Sequence, residues 1–190
     1  MKRTLLIFSC LMFYHTAITS QLVDRKDDRF WGEVGVGMYN SDDGYDKDAS
    51  DFCVKLLKGN TLYTFRAMGV WEPTLFNSNV TDNFSGLGLL IGTVMSDNYI
   101  QVEISGGLGY ISGVMRGKLL YTDPSTGMFD IWDHRHFEKV EFFSPSIPIQ
   151  IDLLLKPLSH FGFGVSLFAD INLRRTVKGI TFKIGLGELR

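Results

Sequence analysis

Residues 99–110, YIQVEISGGLGY, decide the fold class because apolar and polar side chains alternate along them. The two sets are Ile100, Val102, Ile104 and Leu108 against Gln101, Glu103, Ser105 and Gly107. Successive side chains of a β-strand point to opposite faces of the sheet. The stretch is therefore predicted to be a strand with one apolar and one polar face.

The same alternation recurs along the chain in runs separated by polar or glycine-containing connections. The predicted strands cover residues 30–39, 51–58, 61–71, 84–95, 98–113, 144–156, 159–172 and 176–188. Strands of this kind remove every open sheet edge when they close on themselves. The fold class predicted is all-β, a closed antiparallel up-and-down barrel of about eight strands.

The composition of the polar face indicates that this face lines the interior. It consists mostly of Gly, Ser, Thr and Gln with isolated charges, unlike the Lys- and Glu-rich surface of a soluble protein. The interior of a narrow barrel has to be filled by side chains, and small residues fit there. The apolar rows would then face lipid in a transmembrane barrel. The alternative is a soluble periplasmic, lipocalin-like barrel that binds an apolar ligand.

The ends of the strands and their connections favour the transmembrane barrel. Aromatic residues near strand ends are predicted to form two girdles at the bilayer interfaces: Trp31, Tyr39, Tyr63, Trp71, Phe84, Tyr99, Tyr110, Phe142 and Phe161. Long connections near residues 40–50, 72–83 and 114–143 alternate with tight turns at Gly59-Asn60, Ser96-Asp97 and Pro157-Leu158. Membrane barrels have long outer loops and short periplasmic turns, although the connection around residues 173–175 is also short.

Residues 1–20 have the features of a cleaved secretory signal. Lys2 and Arg3 precede an apolar run over residues 5–14, which is shorter than a membrane helix of about 20 residues. Residues 21–190 would then form the mature domain, in which Cys53 has no partner for a disulfide. Removing Lys2 and Arg3 from the 19 basic residues leaves 17 against 21 acidic ones, a net charge of −4. This acidity argues against nucleic acid as a partner.

These features together resemble small outer-membrane β-barrel proteins of the OmpA/OmpX-like type. The resemblance covers nearly all of residues 21–190 and implies a location in the cell outer membrane, with its lipid as a partner. Such barrels often finish with an aromatic residue in the last strand, used in assembly. This chain ends instead with the sequence IGLGELR at residues 184–190.

The inward rows collect charged and amide side chains, which we predict to be a structural polar network. Its members are Glu33, Arg66, Gln101, Glu103, Asp152, Asp170 and Lys183, together with Lys55 and Gln150. A buried ion without a partner costs several kcal/mol, so these groups are expected to pair and stiffen the barrel. A narrow ion path through the lumen is the alternative, for which an eight-stranded barrel leaves little room.

No cofactor or metal site is predicted. The acidic segment at residues 41–48, with Asp51 just beyond, could supply oxygen ligands to calcium, but it lacks the spacing of the twelve-residue calcium loop. His134 and His136 form a His-x-His pattern that could place two imidazoles on one face of a strand. Neither pattern is specific enough to assign a site.

The expected function is structural or adhesive rather than catalytic, with loops 40–50, 72–83 and 114–143 contacting a surface ligand or protein partner. The alternative from another class is a lipid-modifying enzyme, which needs a nucleophile close to a base. Ser159-His160 is the only adjacent Ser-His pair in the sequence, and neighbours on a strand point to opposite faces. His134 or His136 could instead meet Ser112 or Ser125 in space.

Overall fold

The computed structural model describes residues 28–40, 46–71, 83–122, 135–174 and 176–190. The predicted signal segment, residues 1–20, lies outside this part of the chain. The described residues form the strands β1 (Arg29–Asn40), β2 (Asp46–Lys58), β3 (Thr61–Trp71), β4 (Asn83–Ser96), β5 (Ile100–Thr122), β6 (Arg135–Leu155), β7 (Phe161–Asn172) and β8 (Val177–Gly187). None of these residues belongs to a helix long and apolar enough to cross a membrane.

Each strand pairs with the next one along the chain, and β8 pairs with β1 to close the sheet. The closing seam is antiparallel and runs from Trp31 opposite Gly187 to Asn40 opposite Lys178. The structure is therefore a closed up-and-down antiparallel barrel of eight strands, and the predicted fold class is confirmed.

The apolar rows lie on the outside of the barrel, as predicted from the composition of the polar face. Leu89, Leu108 and Phe182 are among the most exposed large side chains, with exposed fractions of 68%, 74% and 66%. The alternate positions on the same strands, such as Glu103 and Lys183, are buried inside. An outer surface of this kind is stable only against an apolar medium, since patches this large are not left in water.

The predicted aromatic girdles are only partly correct. Tyr63, Trp71, Tyr99 and Tyr110 point outward and are exposed, and Phe161 is half-buried. The prediction is wrong for Trp31, Tyr39 and Phe84, which are buried in the lumen, and for Phe142, which packs against the cluster that contains Tyr39 and Phe84. The reason is parity: Trp31 and Tyr39 lie an even number of residues from Glu33, so their side chains share its inward face.

These inward aromatic residues help to fill the two ends of the lumen. The loop-side apolar layer consists of Tyr39, Ala49, Met68, Val70, Phe84, Ile111, Phe168 and Val177. The turn-side apolar layer consists of Trp31, Leu57, Leu62, Val94, Leu154 and Leu189. The charged cluster around Lys55 and Lys183 lies between the two layers, so hydrophobic packing separates it from both ends of the lumen.

Two of the predicted loops are shorter than expected. β2 begins at Asp46, so residues 46–50 of the predicted loop 40–50 belong to a strand. β5 continues to Thr122 and β6 begins at Arg135, so much of the predicted connection 114–143 is a two-stranded extension. Cross-strand pairing stabilises this extension even though its sequence lacks regular alternation. Residues 41–45, 72–82 and 123–134 of the predicted loops lie outside the described residues.

Candidate functional site

The structure places all seven residues of the predicted polar network inside the barrel. Glu33, Arg66, Gln101, Glu103, Asp152, Asp170 and Lys183 are each at most 5% exposed. They come from β1, β3, β5, β6, β7 and β8, so the network spans most of the circumference. Lys55 on β2 and Gln150 on β6 are buried with them.

Lys55 is the centre of this arrangement. Its Nζ atom lies 2.7 Å from Oε2 of Glu33 and 2.5 Å from both Oε2 of Glu103 and Oδ2 of Asp152. An ammonium group has three donors, and three carboxylates surround it here. Charge-assisted hydrogen bonds are stronger than neutral ones, so this contact set favours retention of the ammonium ion inside the barrel.

Lys183 forms a second bridge in the same layer. Its Nζ atom lies 2.9 Å from Oδ2 of Asp51, 3.3 Å from Oε2 of Glu33 and 3.4 Å from Oδ1 of Asp152. Glu33 and Asp152 therefore contact both ammonium groups. Asp51, at the start of the predicted strand 51–58, was not among the predicted network residues, although it has the inward parity of Lys55.

Neutral donors also bind three of these carboxylates, those of Glu33, Glu103 and Asp152. The indole Nε1–H of Trp31 donates to Oε1 of Glu33 at 2.9 Å. The side-chain amides of Gln101 and Gln150 donate at 2.7 Å to Glu103 and Asp152, respectively. Each donor lies two residues from its acceptor on the same strand face, so the period of two builds these contacts locally.

A separate ion pair lies towards the loop end of the lumen. Nη2 of Arg66 is 3.1 Å from Oδ2 of Asp170, and the guanidinium lies 4.7 Å from the centroid of the Phe168 ring. A cavity of about 10 Å³ beside this pair, lined by Met68 and Gly86 among others, has room for about one water molecule. This part of the lumen is thus filled by side chains, as expected for so narrow a barrel.

The buried charges of the described lumen balance. Five acidic residues, Glu33, Asp51, Glu103, Asp152 and Asp170, face five basic ones, Lys47, Lys55, Arg66, Lys156 and Lys183. Lys47 and Lys156 were not among the predicted residues of the network. Lys47 lies in a stretch predicted to be a loop, whereas Lys156 ends the predicted strand 144–156 with the inward parity of Asp152, a signal that could have identified it.

Three of these carboxylates have the geometry of a cation site. Ligand oxygens of Glu33, Glu103 and Asp152 lie within 4.8 Å of one another. The Lys55 ammonium lies among them, so it takes the place that a metal ion would need. Of the other metal candidates, His134 and residues 41–45 lie outside the described residues, and the His136 ring stacks on that of Tyr121 with 4.2 Å between the ring centroids.

The candidate catalytic pair is at the turn end of the barrel. Ser159 and His160 are exposed in the turn between β6 and β7. The His160 ring Nδ1 is 3.3 Å from the carbonyl oxygen of Gly187, and the Ser159 carbonyl accepts from the amide of Leu189. These contacts bind the turn to the end of β8. Ser112 lies on β5 opposite Phe143, and Ser125 lies outside the described residues.

At the opposite end, β5 and β6 extend beyond their other neighbours. The register of β4 with β5 ends at Asn83 and Val114, and that of β6 with β7 begins at Ser146. β5 and β6 nevertheless remain paired as far as Thr122 and Arg135. We call residues 115–122 and 135–145 the β5–β6 ribbon.

The ribbon carries basic and aromatic side chains on its outward face. Arg116 and Lys139 are directly opposite each other in the register. The Arg116 guanidinium lies 5.3 Å from the centroid of the Phe137 ring, and Lys139 pairs with Glu141 at 2.8 Å. Like charges placed opposite each other are unfavourable in isolation, and the aromatic and acidic neighbours reduce that cost.

Solved structures with the same fold come from small outer-membrane barrels. The N-terminal β-barrel domain of OprF from Pseudomonas aeruginosa matches with a TM-score of 0.53 and 10% identity, over 85% of this chain and 99% of that one. Ail from Yersinia pestis, in complex with the heparin analogue sucrose octasulfate, matches with a TM-score of 0.54 and 13% identity, over 85% and 98%. Neisserial surface protein A matches with a TM-score of 0.54 and 6% identity, over 86% and 97%.

No family model and no curated protein sequence matches the chain. The likeness is therefore one of fold: the chain has the architecture of the small OmpA/OmpX-like barrels of the outer membrane.

Proposed function

We propose that this protein is exported through a cleaved signal at residues 1–20 and that residues 21–190 form a non-catalytic barrel in the cell outer membrane. The barrel presents the β5–β6 ribbon, together with the loops around residues 40–50 and 72–83, to a ligand outside the cell. The outward apolar rows support the membrane location, because they would be unstable in water.

The single observation that carries the surface role is the length of the β5–β6 ribbon. β5 has 23 residues and β6 has 21, whereas β1, β3, β7 and β8 have 11 or 12. Eight residues of β5 belong to the ribbon. At about 3.3 Å per residue, the ribbon therefore extends roughly 25 Å beyond the rest of the barrel, measured along the strand. A projection of this kind on a rigid scaffold is a typical location for binding.

The charge of the ribbon favours an anionic partner. Four basic residues (Arg116, Lys118, Arg135 and Lys139) stand against two acidic ones (Glu138 and Glu141), a net charge of +2 in a chain whose net charge is −2. Ail, which shares the fold, was crystallised with a sulfated sugar. We propose an anionic polysaccharide as the class of ligand, recognised by the cations on this ribbon.

The binding experiment uses the purified barrel in detergent and a sulfated oligosaccharide as probe. The double variant R116A/K139A should weaken binding by about tenfold, and the dependence of affinity on salt should become shallower. K58A is the matched control, because Lys58 is an exposed cation at the other end of the barrel. Equal affinity of the wild type, R116A/K139A and K58A for the oligosaccharide would refute the ribbon as the binding element.

The location is tested separately by cell fractionation. The mature protein should sediment with outer membranes and migrate differently on a gel before and after heating. Recovery as a soluble periplasmic protein would contradict the membrane assignment and favour the lipocalin-like alternative.

Hydrolysis of acyl esters by the purified barrel would favour the enzyme alternative, in which case the Ser159 and His160 variants identify the residues responsible.

We also propose that the charged lumen is a structural plug rather than an ion path. Its support is the exact balance of five acidic and five basic buried residues in the described lumen. The two apolar layers at its ends strengthen this proposal, because ions would have to cross both of them. Planar-bilayer recordings should show no steady conductance; a stable conductance in the wild-type protein would contradict the plug.

A further inference from the structure

The segment after β8 folds back into the turn-side mouth of the barrel. β8 ends at Gly187, whose φ of +133° is a conformation that other residues rarely adopt. The amide of Glu188 then donates to the carbonyl of Phe30 at 2.9 Å, and the amide of Leu189 donates to that of Ser159 at 3.0 Å. These bonds turn the chain away from the strand direction and across the opening.

Leu189 fills a space in the lumen that is left free because position 162 is a glycine. Its side chain is 0% exposed and belongs to the turn-side apolar layer with Trp31 and Leu154. A Cβ placed on Gly162 would lie 3.0 Å from Cδ1 of Leu189, which is tighter than ordinary contact. A residue larger than glycine would therefore crowd Leu189, and the absence of a side chain at position 162 makes the space available.

Polar groups fasten the segment from both sides. Nη1 of Arg29 and Nζ of Lys156 both donate to the carbonyl oxygen of Leu189, at 2.8 and 3.1 Å. The guanidinium of Arg190 lies 5.0 Å from the centroid of the Tyr99 ring and donates to the carbonyl of Lys156. Together with the two backbone hydrogen bonds and the packing of Leu189, these contacts hold residues 188–190 in place.

We infer that residues 188–190 form a stopper, which closes the turn-side mouth and keeps water and small solutes from the charged layer around Lys55. The segment lies outside the strand ladder and is held by a few contacts, so it can open locally while the barrel remains closed. Opening exposes the lumen from that mouth, which faces the periplasm in the proposed orientation. The inference does not depend on the surface ligand.

Cys53 can be used to measure this opening. Cys53 is buried among the lumen charges, 3.6 Å from Nζ of Lys183, and the other cysteine, Cys10, lies in the predicted signal. A thiol reagent can reach Cys53 only by entering the lumen. The rate at which a small, charged methanethiosulfonate modifies Cys53 therefore measures how often the lumen is open.

The experiment compares variants of the purified barrel in detergent, each first shown to be folded by its heat-dependent gel mobility. L189A should raise the rate of Cys53 modification by about tenfold or more, since it empties the space that Leu189 fills. R190A removes only the exposed fastening and should give a smaller increase. L158A is the matched control and should react like the wild type, because Leu158 is an exposed leucine at the same mouth.

A wild-type rate in both L189A and R190A would overturn the stopper. So would an equal acceleration in L158A, which would mean that any change at the mouth loosens the barrel. If L189A does not fold, R190A alone decides the matter, since its wild-type rate would refute the inference and its acceleration would support it.

Discussion

Nζ of Lys55 lies 2.5 Å from Oε2 of Glu103 across the lumen, between two apolar layers that cap the barrel at either end. The two residues are 48 positions apart and lie on strands β2 and β5, which are not neighbours in the sheet. Their contact therefore depends on closure of the barrel. A side chain that reaches across the interior in this way links distant parts of the wall.

The first prediction concerns the loss of this ammonium group. K55M keeps the length of the side chain but leaves Glu33, Glu103 and Asp152 without their shared partner. Breaking a buried ion pair from one side costs about 3–5 kcal/mol, and unfolding by urea in lipid vesicles should show a loss of that order. K58M, at the exposed end of β2, should change stability by no more than about 0.5 kcal/mol. Equal stability of both variants would show that the cluster is not a structural plug.

The second prediction concerns the outward face. Leu89 is 68% exposed near the middle of β4, where the proposed bilayer has its apolar core. L89R should destabilise the inserted barrel by about 2–4 kcal/mol, because an arginine at the bilayer midplane carries that cost. L158R, in the turn after β6, should have a much smaller effect near the interface. Folding efficiency in vesicles is the measurement, and indifference to L89R would argue against a lipid-facing surface.

Period-two alternation was sufficient to predict the strands and the closed barrel, and the small, mostly uncharged residues of the polar face predicted that this face lines the interior. The inward positions of Glu103 and Lys183 follow from the strict alternation around them, since a shift by one residue would reverse every side chain. The same rule would have placed Trp31 and Tyr39 inside. They were instead predicted to face the bilayer interface, because aromatic residues at strand ends are typical of bilayer interfaces.

The length of the ribbon could not be predicted from the sequence. Its pairing shifts register between Arg116 and Leu119 and again between Leu119 and Tyr121. Such irregularities interrupt the period of two, so the stretch has the pattern of a loop.

The position of residues 188–190 could not be predicted from the sequence either, because Leu189 contacts residues that are distant in the sequence.

The third prediction tests the seam between β1 and β8. A Cβ on Gly37 would lie 2.0 Å from the carbonyl oxygen of Ile180 and 2.6 Å from Cα of Thr181, so G37A forces the two backbones apart. We expect G37A to reduce the fraction of protein that runs as the compact form on an unheated gel. G32A is the control on the same strand, because its nearest contact would be 3.8 Å. Equal compact fractions would show that the seam tolerates a side chain at position 37.

The fourth prediction concerns pH and Lys156, which lies in the turn after β6. Burial, with Arg29 and Arg190 nearby, lowers the pKa of Lys156 from 10.5 to about 8, whereas Asp97 and Glu103 act in the opposite direction. Between these two values the unfolded chain holds a proton that the folded chain releases, so the contribution of Lys156 to stability rises with pH through that window.

The measurement is the difference in urea stability between the wild type and K156M at several pH values from about 7 to 10.5. The wild type should gain on the variant as the pH rises above about 8, because only the wild type releases this proton on folding. The same series with K58M, which removes an exposed lysine, is the control that separates Lys156 from the other groups that titrate in this range. If the stability of the wild type relative to K156M instead falls as the pH rises, the folded protein stabilises the ammonium form of Lys156. That result would contradict a pKa of Lys156 that is lowered by folding.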